Sequence, residues 1–420
     1  MPKYIVWLCV LMCIACSKNY IDVDPVPEDT SLPIVIASTD VNVDFIELTL
    51  RYDRPEDIQR IELRRDTTEP ARTIYDGAPV WLDSGFETNF MDYKTNSDQP
   101  SLSPNTTYHY TLFYQPSEDH LPMQYVTGQT LQTLSYKAGM QRSLLNWVTA
   151  IKAKSSNTKI LLSTSHLDIF VDNTNTIIVP DLWSEIDGTI IDAFQYKPTN
   201  ISQDSNQMEA NTQRLDAINK KPLLGVDYVT EQNKVTKSKN SFNTHNIIGL
   251  TRPGNLANLS DVSDFDITGD TNADAVESLT DVKTFLLWDA PISSSMIQTL
   301  GATNHDLIII SPFSDTHGYV SLQEVAALKT KPEGEDRLVY AYISVGTLAQ
   351  NIPLWDTAWN TEASRPNWVG IESNNNYLVK YWRPQWNHHV IELITQVIDL
   401  GFDGIVLGGV GEYHSHSAGD

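Results

Sequence analysis

The chain has 420 residues, enough for a small domain beside one large enough to bury a full α/β core. Its 29 basic and 53 acidic residues leave a net charge of -24, which repels phosphate backbones and argues against nucleic acid as a partner; a neutral or cationic ligand fits better. All three cysteines, Cys9, Cys13 and Cys16, fall in the first sixteen residues, so the rest of the chain has no thiol for an internal disulfide or a thiolate metal site.

Lys3 and the apolar run Tyr4 to Ala15 have the charged and hydrophobic regions of a secretory signal and are too short for a spanning helix. Ile14-Ala15-Cys16, followed by Ser17-Lys18-Asn19, resembles a bacterial lipoprotein processing site. This implies residues 1–16 as a signal peptide, a lipid anchor on Cys16 holding the protein to a membrane, and a location in the cell envelope, at the outer membrane. An ordinary cleaved signal with an incidental cysteine gives the same pattern. Residues 17–32, with Asp22, Asp24, Pro25, Pro27, Glu28 and Asp29, suit a flexible tether.

Residues 33–135 carry short alternating runs, Ile34 to Ala37, Val43 to Leu50, Ile58 to Arg64, Thr107 to Tyr114 and Met123 to Leu134, separated by polar turns. That pattern predicts a small β-sandwich. Leu102-Ser103-Pro104-Asn105-Thr106-Thr107-Tyr108 and the alternating stretch to Tyr114 resemble the tyrosine corner and following strand of fibronectin type III domains. The resemblance implies that Tyr108 packs inward with its hydroxyl on nearby backbone. Such a module serves as a structural spacer or as a partner-binding unit.

Residues 138–420 alternate helical stretches with buried-type strands. Leu144, Leu145, Val148 and Ile151 recur at helical spacing. Eight strand candidates follow: Ile160–Leu162, Thr189–Ile191, Leu223–Val226, Ile247–Leu250, Phe285–Leu287, Leu307–Ile310, Val339–Ile343 and Gly404–Leu407. Near-continuous apolar runs separated by helices predict a parallel sheet covered on both faces, a closed (β/α)8 TIM barrel. A doubly wound open sheet is the alternative, without a glycine-rich phosphate loop to favour it.

Val339 to Gly346, Trp368-Val369-Gly370, Tyr377, Tyr381-Trp382-Arg383-Pro384-Gln385-Trp386 and Gly401 to Leu407 resemble the strands and tryptophan motif of glycoside hydrolase family 114, the endo-α-1,4-polygalactosaminidase-like barrels. Ile186 to Tyr196 and Lys221 to Tyr228 resemble two further strands of that group, which there follow the strand like Gly401 to Leu407 and here precede it. The order suggests a circularly permuted barrel, and a truncated tandem gives the same order.

In such barrels the active site lies at the C-terminal ends of the strands. Here these ends carry His166, Asp192, Asp227, Arg252, Asp289, Ser311, Thr347 and Gly408, with Glu412 just beyond. Glycoside hydrolysis uses two carboxyls, one protonated to serve the leaving oxygen and one ionised. The resemblance implies an acid at Gly408, Ser311 and Thr347, where this chain has none, and aligns the family's glutamate with Asp192. The candidate catalytic residues are therefore Asp192, with Asp227, Asp289 or Glu412 as the second carboxyl. Asp192 and Asp227 equally fit a cap on loop amides.

Tyr196, Tyr228, Arg252, Trp288, Trp382 and Tyr413 are the candidate sugar contacts, since aromatic faces pack on sugar C–H faces. The tryptophans fit the barrel core as well. His414 and His416 share a strand-like spacing but lack an acidic or cysteine partner, so no metal and no cofactor is expected. The resulting expectation is a cell-envelope glycoside hydrolase acting on a polysaccharide, with an amino-sugar polymer suited to the acidic surface. The alternatives are a non-catalytic glycan-binding lipoprotein on a degenerate barrel, and a structural lipoprotein that binds a protein partner.

Overall fold

The computed structural model describes residues 33–83, 89–92, 102–116, 123–254, 274–373 and 376–417, apart from single residues 173, 175 and 333. Cys16 and the proposed tether lie outside the described residues. Among the described residues no helix is long and apolar enough to cross a membrane. Packing divides the chain between Thr133 and Leu134 into two compact units.

The first unit is all antiparallel β. Its strands are β1 (Ile34–Val41), β2 (Ile46–Tyr52), β3 (Ile58–Asp66), β4 (Ala78–Asp83), β5 (Asn89–Asp92), β6 (Thr107–Pro116) and β7 (Gln124–Gln132). They form a three-stranded sheet β1-β2-β5 and a four-stranded sheet β4-β3-β6-β7. Alternate residues of the strands turn inward, so Ile46, Leu48 and Leu50 meet Ile61, Leu63, Tyr110 and Leu112 in one core. Tyr108 is buried, and its hydroxyl accepts the Ser103 amide at 2.8 Å. This is the corner that the sequence predicts, and the strand arrangement is fibronectin type III-like.

The second unit opens with α1 (Tyr136–Lys154), capped by Ser135, whose hydroxyl accepts the Ala138 amide. Its elements continue as β8 (Lys159–Thr164), α2 (Pro180–Glu185), β9 (Gly188–Asp192), the two-residue strands β10 (Tyr196–Lys197) and β11 (Ile201–Ser202), α3 (Ser205–Ile218), β12 (Leu223–Tyr228), α4 (Gln232–Thr244) and β13 (Ile248–Arg252). Then come β14 (Phe285–Trp288), α5 (Ser294–Gly301), β15 (Leu307–Ile310), α6 (Leu322–Leu328), β16 (Leu338–Ser344), β17 (Thr347–Ala349), β18 (Val369–Ser373), β19 (Asn376–Val379), α7 (Pro384–Asp399), β20 (Gly404–Gly408) and α8 (Tyr413–Ser417).

Eight strands pair in the order β13-β12-β9-β8-β20-β16-β15-β14, each neighbour parallel. These are the eight strands expected from the apolar runs. The barrel strands that come first and last in the chain, β8 and β20, pair directly. The seam lies instead between β13 and β14, where the Arg252 guanidinium donates to the Leu287 carbonyl at 2.6 Å. Strands such as β15 and β12 are buried along their whole length because helices cover one face and the barrel interior the other. α7 shows the matching helical pattern, burying Trp386, Val390, Leu393, Ile394 and Val397, with Pro384 in its first turn.

Acids at the N-terminal end of the barrel are structural. Asp187, Asp306 and Asp403 each precede one strand and accept amides at the start of its neighbour: Ile160 at 2.9 Å, Lys283 at 2.8 Å and Val339 at 2.9 Å. Asp306 also holds Lys331 at 2.7 Å, both side chains wholly buried. Asp187 and Asp403 belong to the Asp-Gly motifs that open two of the strands behind the family resemblance. Those motifs therefore record barrel assembly, at the face where conserved chemistry is not expected.

Candidate active site

The C-terminal ends of the strands bring Asp192, Tyr228, Arg252, Asp289, Tyr342 and Glu412 into one electrostatic neighbourhood. Asp192 ends β9, and Tyr228, ending the adjacent β12, donates its hydroxyl to Asp192 Oδ1 at 2.5 Å. Arg252 ends β13, lies 5.4 Å from the Tyr228 ring centroid and forms an ion pair of 2.9 Å with Asp289, just past β14. Asp192, Tyr228 and Arg252 are thus the last residues of their strands and Asp289 follows the last residue of its own, which is why chain order predicts these four members of the set.

Asp192 keeps partial contact with solvent. Protein surrounds it closely enough that burial pushes its carboxyl pKa up; the Tyr228 hydroxyl opposes this, and the Asp289 and Glu412 charges add to it. Burial also raises Tyr228 well above its ordinary value, with Asp192 adding repulsion, so Tyr228 stays a neutral donor. Asp192 is thus shifted toward its protonated form beside Asp289 and Glu412.

Glu412 lies against Gly346: a Cβ built on that glycine would meet Glu412 Cγ at 2.8 Å and the Gly409 carbonyl at 2.1 Å. The glycine lets the segment after β20 fold over the end of β16, which places Glu412 at the mouth. Its Oε2 accepts the Ser415 hydroxyl at 2.7 Å.

Gly408 is the position where the family resemblance implies an acid. A Cβ there would meet Tyr342 Cζ and Oη, each at 2.1 Å. Tyr342, on the interior face of β16, therefore fills the space that a side chain at the end of β20 would take. Burial raises its pKa, with Asp289 and Asp192 adding to the shift, so it too remains a neutral phenol. Tyr342 was not among the candidate residues. Its signal is visible in retrospect: Tyr340 and Tyr342 share one face of β16, and Gly404 and Gly408 on β20 give way to them. Ser311 and Thr347, the other two acid-free positions, line a cleft of about 650 Å³ with Tyr342, Asp289, Phe313 and Asn351. Asp192 and Glu412 do not line that cleft, although their charges reach Tyr342.

The other sequence candidates lie elsewhere. Asp227 is wholly buried, and its Oδ1 accepts the amides of Gln195 at 2.7 Å and Tyr196 at 3.0 Å. Burial pushes its pKa up to about 6 against those bonds and Ser238. It fits the loop-capping role better than attack on a substrate. Tyr196 is buried against Val229 and Val235. Trp288 is buried in the barrel, with its indole N–H lacking a protein acceptor. Trp382 packs between Tyr136, Tyr381 and His416, with centroids 5.3, 4.8 and 4.9 Å away, so it closes an aromatic core instead of offering a face to sugar. Tyr413 is buried and donates to Asp168 Oδ1 at 2.7 Å.

The two C-terminal histidines separate. His416 turns to the Val379 carbonyl, while His414 stacks on His166, centroids 3.7 Å apart, beside Asp168. Burial pulls His166 down to about 4, helped by His414. For Asp168 burial acts upward, but hydrogen bonds from His414 and Tyr413 and the charge of Lys137 outweigh it and hold the carboxyl low.

No family model matches the chain. An uncharacterised protein of Methanocaldococcus jannaschii is 30% identical over 132 residues, which cover 30% of this chain and 36% of that one. The chain spans about a third of the length of the curated relatives that head the comparison. Among solved structures, a U32 peptidase, Mk0906, aligns over 61% of this chain and 94% of its own at 10% identity with a TM-score of 0.31. A β-1,2-glucanase from Parabacteroides distasonis aligns over 30% of this chain and 16% of its own at 10% identity with a TM-score of 0.19. At these TM-scores neither likeness carries an argument about function.

Proposed function

We propose that the second unit is a carbohydrate-active barrel that hydrolyses a polysaccharide, with Asp192 as the proton-donating carboxyl. The observation that carries this reading is Asp192 itself, at a strand end of the mouth, kept toward its protonated form by burial and by the charges of Asp289 and Glu412. A protonated carboxyl can give its proton to the leaving glycosidic oxygen, and an ionised one can activate water or attack the anomeric carbon. Asp289 is committed to Arg252 and Asp227 to loop amides, so Glu412 takes the second role. Tyr228 orients the Asp192 carboxyl. The net charge of -24 favours a cationic, partly deacetylated amino-sugar polymer as the substrate. The permuted family 114 relationship and a lipid anchor on Cys16 in the cell envelope belong to the same proposal.

One observation favours a second reading, glycan binding without hydrolysis: Tyr342 occupies the place of the acid after β20. Incubating the full-length chain, in detergent, with a panel of polysaccharides that includes deacetylated galactosamine and glucosamine polymers separates the two. New reducing ends support the hydrolase. Tight retention of one polymer with no new reducing ends means a binding protein. Absence of both release and retention across the whole panel overturns the carbohydrate reading.

A further inference from the structure

Beside the carboxyls of the mouth, three side chains from distant parts of the sequence meet on the rim. His166 follows β8, Asp168 stands two residues further on, and His414 lies in α8, just past β20, the strand paired with β8. One possible ligand atom from each lies within 4.8 Å of the other two. The imidazoles stack with planes 28° apart, and His414 Nε2 stands 3.6 Å from Asp168 Oδ1.

The backbone that carries two of these groups is braced. Asn211, wholly buried, donates to the Ser165 carbonyl at 2.8 Å and accepts the Leu167 amide at 3.1 Å, fixing the chain on both sides of His166. Tyr413 donates to Asp168 at 2.7 Å. A ligand set held by an outer layer of hydrogen bonds is how metal sites keep their side chains oriented.

We propose that His166, Asp168 and His414 bind a divalent transition-metal ion of the zinc class, leaving one coordination position open. Two imidazoles and a carboxylate are the donor set of open zinc sites. Bonds of about 2.0–2.2 Å in tetrahedral geometry put ligand atoms roughly 3.4 Å apart, so the three groups need to close by little more than an ångström. His414 can supply that movement, because its side chain is 45% exposed on a short helix and its ring can leave the stack. A cation already pairs with the carboxylate: Lys137 Nζ lies 3.6 Å from Asp168 Oδ2. A histidine stack on an aspartate neutralised by that lysine is the competing account, and it predicts no metal uptake.

The test does not depend on hydrolysis, so it stands or falls apart from the glycan reading. The chain in detergent, without a histidine tag and with any cysteine thiol that is still free alkylated to remove thiolate binding, is titrated with zinc chloride by calorimetry and with cobalt(II) by visible absorption. About one equivalent of zinc is expected. His166→Ala and His414→Ala should each weaken uptake about 100-fold or more, and Lys137→Ala should tighten it, since a competing positive charge leaves the carboxylate. His414 is exposed enough that its variant keeps its fold, which thermal melting checks. No zinc uptake by the parent chain, or uptake unchanged in both histidine variants, overturns the proposal.

Discussion

Replacing Gly408 with alanine tests the claim that Tyr342 has taken over the space after β20. The added Cβ would lie 2.1 Å from both Tyr342 Cζ and Oη, far inside contact distance. The ring tip must swing away within a barrel interior, and overpacking of this kind costs about 1–3 kcal/mol. Against it stands the lower entropy of the unfolded chain with alanine, about 0.4–1 kcal/mol in favour of folding. The net expectation is a loss of about 1–2 kcal/mol, or roughly 2–4 °C in melting temperature for each kcal/mol. In a Tyr342→Ala background the clash vanishes, so Gly408→Ala becomes neutral or slightly stabilising, and the double-mutant cycle returns a coupling of about 1–3 kcal/mol. Tryptophan fluorescence during denaturant unfolding suits the assay, because every tryptophan except Trp7 and Trp81 lies beyond Leu134. Equal effects of Gly408→Ala in the two backgrounds would refute the argument.

Two further outcomes follow from the site. Asp227 has its folded pKa raised to about 6, above the unfolded value of about 3.9, so the folded state holds the proton more tightly and stability falls as pH rises from about 4 through 6. Asp227→Asn removes that loss and should gain about 3 kcal/mol relative to the parent between pH 4 and 7.5; urea unfolding at the two pH values with identical differences would contradict it. Arg252→Ala opens the seam between β13 and β14 by deleting the donor to Leu287, and it strands Asp289. Because Asp289 is one-third exposed and can turn to water, the expected loss is near the lower end for a broken buried pair, about 3 kcal/mol, read in the same unfolding experiment.

The barrel was legible because its strands are buried on both faces and so read as apolar runs, such as Leu307 to Ile310, set between helical stretches. The sandwich was legible only in part. β4 begins with Ala78-Pro79 after Gly77, and β5 has four residues, so neither presents a periodic run long enough to recognise. The small antiparallel sheet β17-β19-β18 read as a tryptophan-rich connection for the same reason. At the site, sequence position located the ends of the strands, and with them Asp192, Tyr228, Arg252 and Asp289. It did not give side-chain direction: Trp382 and Tyr413 fall at the expected height along the chain yet turn into packed clusters. The partnership of Asp168 with His414 spans most of the second unit and follows only from the closure of β20 onto β8, which no local pattern records.

The most direct measurement is the rate of reducing-end release from partly deacetylated galactosamine polymer by the parent chain and by Asp192→Asn, with folding of both checked by thermal melting. A proton donor removed without change of shape should cost about 10²–10⁴-fold in rate. Release by the parent with that loss in the variant is the predicted result; release that continues undiminished in Asp192→Asn would contradict the role given to Asp192.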